Sequence, residues 1–129
     1  MRRLVSTVAA LLMLSTPFAA ATAQDAETGE QIYRQCRACH QIGENARNLV
    51  GPQLNGIIGR KAGTIEGFNY SQANKDAGAS GLVWREDNLL KYLENPIAFM
   101  PGTKMVYAGV KAEDARRDLI AYLKKFSQK

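Results

Sequence analysis

The stretch "CRACH" sets two thiols, Cys36 and Cys39, with two residues between them and puts His40 directly after the second. The chain has no other cysteine and no other histidine. Four chemistries compete for such a stretch. A structural zinc site needs four ligands, and this one supplies three with no further Cys/His pair downstream. A thioredoxin-like redox pair calls for a preceding strand and βαβ surroundings, whereas "ETGEQIYRQ" upstream reads as helix. A disulfide fits the spacing, but it leaves His40 without a role. Covalent haem attachment uses all three side chains: both thiols add to the haem vinyl groups and the imidazole binds the iron. Two thioethers so close in sequence fix one edge of the macrocycle and force the next residue beneath the ring. A group held in this way is not lost on dilution.

A second stretch carries soft ligands. "NPIAFMPGTKMVY" (95–107) holds Met100 and Met105, which are the only methionines beyond residue 23. Pro96, Pro101 and Gly102 mark it as an irregular loop. Either thioether is a candidate second ligand to a haem iron, and spacing alone does not choose between them. Met100 suits apolar cover for the end of a helix. Met105 lies beyond a Pro-Gly turn that can reverse the chain and lay it across a flat group.

These side chains need elements to hold them. Residues 1–23 are set aside as a signal peptide: Arg2 and Arg3, an apolar run from Leu4 to Leu14, and the small residues Ala21 and Ala23 before a cleavage point. The apolar run is too short to span a bilayer. The expectation is an exported, periplasmic chain cut near Ala23, with residues 24–129 forming one domain. Removing Arg2 and Arg3 from the 17 basic residues leaves 15 against 12 acidic, a net charge of +3. So mild and scattered a charge does not suit a nucleic-acid partner, and no apolar run remains for stable membrane insertion.

Three helices are predicted. The first spans 27–37, with Gly29, Ile32 and Tyr33 on its inner face. The second, in "REDNLLKYLEN", turns Leu89, Leu90, Tyr92 and Leu93 inward and is stopped by Asn95 and Pro96. The third, "KAEDARRDLIAYLKKF", buries Leu119, Ile120, Tyr122, Leu123 and Phe126, with acid at its start and lysine at its end. Between the first two lies a glycine-rich stretch, 43–81, with no clear period. A loop that long argues against a packed domain unless it wraps something other than protein. The class is all-α.

The stretches "CRACHQIG", "VGPQLNGIIGRKAG", "GFNYSQANKDAG", "YLENPIAFMPGTKMVYAG" and "RRDLIAYLKKF" resemble class I c-type cytochromes, above all bacterial cytochrome c2 and its mitochondrial relatives. The resemblance runs over nearly all of residues 25–126. It implies three main helices and long loops around one covalent haem c, with Cys36 and Cys39 as thioether attachments and His40 and Met105 as axial iron ligands; Met100 then becomes packing. It also implies that Pro52 offers its carbonyl to the second imidazole nitrogen and that Arg60, Tyr70, Asn74 and Trp84 enclose the propionates. Tyr92 would lie near the distal sulfur, and Gly29 would let the first helix approach the last beside Tyr33 and Leu119. On composition alone Trp84 and Tyr92 are equally ordinary core aromatics and Arg60 a solvated loop charge. Two departures stand out: "KDAGASGLV" (75–83) is about three residues longer than in the short mitochondrial form, and Gln35 and Ile97 are neutral near the expected haem edge. Lys104, Arg34, Arg37 and Lys111 remain as docking charges.

With both axial positions filled and no acid/base pair in a pocket, the implied role is electron carriage, not enzymatic turnover. The resemblance implies a monomeric periplasmic shuttle from a cytochrome bc complex to a photosynthetic reaction centre, a terminal oxidase, or both. Two rivals are a peroxidase- or nitric-oxide-active cytochrome with a labile distal ligand, and a dedicated acceptor for one periplasmic dehydrogenase.

Overall fold

The computed structural model describes residues 24–128, so the expected signal peptide lies outside the described residues. Five helices follow in order: α1 (Ala26–Tyr33), α2 (Gln72–Ala79), α3 (Glu86–Glu94), α4 (Pro96–Phe99) and α5 (Glu113–Lys124). The only pairing of extended segments among these residues is an isolated antiparallel bridge, Lys61 with Val83. The all-α expectation holds.

α1 starts where Asp25 accepts from the Glu27 and Thr28 amides at 2.9 and 3.2 Å. Hydrogen bonds from Thr28, side chain first, hold the Asp25 carboxyl below its ordinary pKa. The helix ends at Tyr33, four residues earlier than predicted. Single-turn bonds then carry the chain to the thiols: Gln35 N to Ile32 O at 3.1 Å and Cys36 N to Tyr33 O at 2.8 Å. This tightened path swings Cys36, Cys39 and His40 off the helix axis.

α1 crosses α5 at Gly29. A Cβ there would run into the Asp118 carbonyl oxygen and lie 2.9 Å from Tyr122 Cβ, so only glycine permits the crossing. One turn on, the Tyr33 and Tyr122 rings sit 5.2 Å apart, and the Asp25 amide donates to Asp118 at 2.9 Å. α5 contributes buried Leu119, Ile120, Tyr122 and Leu123; its last turn is tied to the first turn of α3 by Lys124 and Glu86. α3 buries Leu89, Tyr92 and Leu93.

Two helices correct the loop reading. α2 lies inside the stretch expected to be irregular. Ser71 caps it by accepting from the Asn74 amide at 3.1 Å, and Gln72 donates to Asp76 one turn on at 2.8 Å. Only Gly78 of this helix is buried, against the Ala62 carbonyl, so no apolar period betrays it. Its end resolves the extra length of 75–83: Gly81 turns with φ of +100° and Leu82 N returns to Ala77 O at 2.9 Å. α4 begins at Pro96, which does stop α3. A proline at the first helical position gives up only an amide that would have been unpaired anyway, and Asn95 caps the Ala98 amide at 3.1 Å.

Two outcomes follow from the α1–α5 crossing. Gly29→Ala gains helix propensity but forces the helices apart, and should lower the unfolding free energy by about 2 kcal/mol in denaturant titration. Stability equal to the native chain would show that the close approach costs nothing to relieve. Burial, with Cys36 and Tyr122 adding to it, pushes the Tyr33 phenol up to about 12 from 10.0. The folded state thus keeps this proton after the unfolded chain has released it. Its stabilisation is complete below pH about 10 and is lost as pH rises towards about 12, a loss on the order of 2 kcal/mol. Unfolding titrations between these limits should fall less steeply for Tyr33→Phe than for the native chain.

Candidate haem-binding site

The helices and loops surround a cavity of about 290 Å³ with a largely apolar wall. All ten residues expected from the sequence line it: Cys36, Cys39, His40, Pro52, Arg60, Tyr70, Asn74, Trp84, Tyr92 and Met105. Met100 does not. It is 5% exposed and sits in the core cluster with Trp84, Tyr92 and Leu93.

His40 is held from several directions. Its amide donates to Cys36 O at 2.9 Å, and its carbonyl accepts from the Tyr33 hydroxyl at 3.1 Å. Nδ1 lies 2.7 Å from the Pro52 carbonyl. A carbonyl can only accept, so Nδ1 carries the proton and Nε2 keeps its lone pair. Burial pushes the imidazole below its ordinary pKa, against the opposing Pro52 bond, so the ring is neutral at pH 7. Gly51 backs the ring. A Cβ there would stand 2.7 Å from Nδ1 and 2.8 Å from Nε2, so any side chain at 51 would displace His40. Sequence reasoning missed Gly51, although it sits inside the quoted "VGPQ".

The thiols of Cys36 and Cys39 are unpaired and half-buried. Burial first, then Cys39, pushes the Cys36 thiol up to about 11. Met105 arrives from the segment after α4. Its sulfur accepts from the Tyr92 hydroxyl at 3.1 Å, and its amide donates to Thr103 Oγ1 at 3.2 Å. The Tyr92 ring is set by Trp84 at 4.8 Å and Phe99 at 5.6 Å.

Arg60 turns inward from its loop and donates to the carbonyls of Gln53, at 3.0 Å, and Asn55. Burial lowers its pKa, tempered by Tyr70. Tyr70 accepts from the Ile65 amide at 3.1 Å and stacks edge-on with Phe68 at 4.8 Å. Asn74 Oδ1 is buried at the cavity wall without a partner, one of two such side-chain atoms among the described residues. An orphaned polar atom on an apolar wall is what a polar-fringed guest leaves when the protein atoms are considered alone. Two free thiols, an imidazole lone pair, a thioether and this fringe suit a haem.

Of the docking charges, Lys104 alone lines the cavity, with Nζ bound to the Asn69 and Tyr70 carbonyls at 3.2 and 3.4 Å. Lys111 caps the Glu94 and Ala108 carbonyls at 2.9 and 2.7 Å, and Arg37 faces Glu30 at 4.0 Å. Val50 and Val106, 77% and 92% exposed, belong to the cavity's lining and mark its mouth.

The Cytochrome c family profile matches residues 26–127. The chain is 52% identical over 127 residues to cytochrome c2 of Blastochloris viridis, covering 98% of this chain and 95% of that one. It is 54% identical over 99 residues to cytochrome c-550 of Ancylobacter novellus, covering 77% of this chain and 92% of that one. The solved structure of cytochrome c2 from Rhodospirillum centenum superposes with a TM-score of 0.78 at 43% identity, over 81% of this chain and 99% of that one. The chain therefore belongs to the cytochrome c family, and with that membership come one covalent c-type haem and the role of electron carrier, not enzyme.

Proposed function

We propose that this chain is a periplasmic shuttle whose haem is attached through Cys36 and Cys39 and ligated by His40 Nε2 and Met105 Sδ. The observation that carries this reading is the meeting of a lone-pair-bearing imidazole nitrogen and a thioether sulfur in one cavity with both thiols. The haem supplies an iron that changes oxidation state without changing its ligands. The Pro52 carbonyl fixes the tautomer of His40 and raises its basicity. The Tyr92 hydroxyl orients the Met105 sulfur and draws density from it. Arg60, Tyr70, Trp84 and the NH2 end of the Asn74 amide would supply donors to the propionates, whose charge is stabilised where donors replace water. Val50 and Val106 leave an apolar mouth, where a partner could approach the bound group.

The same reading extends to the partners. Electrons would arrive from a cytochrome bc complex and leave to a photosynthetic reaction centre, a terminal oxidase or both. The leader pattern of residues 1–23 supports export with cleavage near Ala23. A monomer suits fast, transient encounters. Lys104 and Lys111 are bound to carbonyls rather than to carboxylates, Arg37 is partly offset by Glu30, and Arg34 is exposed. Such a modest ring steers docking to acidic surfaces without holding the complex.

The ligand assignment is tested on the oxidised holoprotein. Met105→Ala should abolish the methionine–iron charge-transfer band and let cyanide bind rapidly, while Met100→Leu should change neither. The reverse pattern rejects the assignment. Docking is tested by the rate of reduction by a bc complex, which should fall roughly tenfold between low and high ionic strength. A flat profile would rule out the basic ring.

A further inference from the structure

Met105 sits in a segment with few ties to the rest of the molecule. Among the described residues, the hydrogen bonds linking 104–107 to distant parts of the chain come from three side chains only, Ala108 being tied to Glu94 through Lys111 Nζ. Lys104 reaches Asn69 and Tyr70, Tyr92 donates to the Met105 sulfur, and the Tyr107 hydroxyl donates to Gln35 Oε1 at 2.8 Å. The backbone offers 104–108 only the local bond from Tyr107 N to Met105 O at 3.1 Å; the next long-range backbone tie is Val110 N to Leu93 O. Beyond these ties the segment is held by the packing of Met105 against the core.

The Tyr107–Gln35 bond differs from the other two in what it spans. Both residues line the cavity, and 72 positions separate them. Gln35 is exposed but rigidly based: its amide is bonded to Ile32 O at 3.1 Å, and the next residue is Cys36, bonded to Tyr33 O at 2.8 Å. The bond thus crosses the mouth from the thiol-bearing wall to the methionine-bearing loop. We propose that Gln35 and Tyr107 form a latch that holds the Met105 segment down, making them positioning residues for the distal ligand. The latch sets how often that ligand leaves, and it accounts for a neutral amide at a position where a docking charge was expected. This inference rests on Met105 being the distal ligand only for its effect on iron, not for the latch itself.

Two measurements on the oxidised holoprotein separate these points. The first is amide hydrogen exchange at Met105 and Tyr107, whose amides are bonded within the segment, which reads loop opening whatever binds the iron. Tyr107→Phe keeps the ring and removes the bond, and should speed this exchange between about 2- and 10-fold, the range of one ordinary hydrogen bond. Gln35→Ala should do the same, the double variant should add little beyond either, and Gln35→Glu, which keeps an acceptor, should stay near the native rate. Exchange in α1 and α5 should not change. Native exchange rates in Tyr107→Phe, or effects of the two single variants that multiply in the double, overturn the latch. The second is the binding rate of imidazole to ferric iron. If Met105 is the ligand, Tyr107→Phe should raise it by the same factor as exchange, and Met105→Ala should raise it far more. Faster exchange with imidazole binding unchanged in both Tyr107→Phe and Met105→Ala would overturn the ligand assignment and leave the latch standing.

Discussion

The protein is built around a centre that its own side chains do not fill. A cavity of about 290 Å³ is bounded by Tyr33, Trp84, Leu89, Tyr92, Leu93, Leu119 and Leu123, residues that also make up most of the buried core. Left unfilled, that apolar wall would lose packing partners that a domain of this length, with its small net stability, needs. The haem is therefore part of the core as well as the redox centre. A covalent link suits this, because losing the group would cost the fold along with the function.

The same constraint explains how so much irregular chain stays ordered. The stretch from residue 43 to residue 71 has no helix, yet its polar groups are largely paired. Asn55 bonds the Gly43 amide and carbonyl at 2.8 and 2.7 Å, Asn48 caps the Gln53 amide at 3.0 Å, and Arg60 donates to Gln53 and Asn55. These side chains replace the backbone ladder that a helix or sheet would supply. A loop satisfied in this way can keep its outer face polar and turn Pro52, Leu54, Ile57 and Tyr70 towards the cavity. Arg116, 5% exposed, does similar duty on the other side by holding the carbonyls of Val110 and Lys111 against α5.

What could be read from the sequence follows from how each feature is written. "CRACH" is local chemistry, and α1, α3 and α5 each bury a periodic apolar face, so these were legible. The residue-by-residue resemblance added the cavity wall: the ten residues it implied for the haem pocket line the cavity, and Met105 lines it where Met100 does not. α2 was missed because it buries only a glycine and is fixed by polar caps rather than by an apolar stripe. α4 was missed because Pro96 was read as a stop, when the same ring is also a good first helical residue behind an Asn95 cap. Gly51 and the Tyr107–Gln35 bond were invisible for another reason. One is a contact made by an absent side chain and the other joins positions 72 apart, so each exists only once the chain is folded.

The two faces of the cavity are held to different standards. On the histidine side, Cys36 and the Tyr33 hydroxyl hold the His40 backbone, while the Pro52 carbonyl and the bare Gly51 backbone fix its ring. On the methionine side, two hydroxyl bonds and a short turn hold a flexible thioether on a strand of loop. A carrier benefits from a rigid surround, since little then has to rearrange when charge moves. Rigidity on both faces would follow if that were the only demand. The softer side coincides with the mouth marked by Val106, where partners must come close and leave again. There a loop held by a few breakable bonds can adjust to successive surfaces, while the opposite wall keeps its geometry.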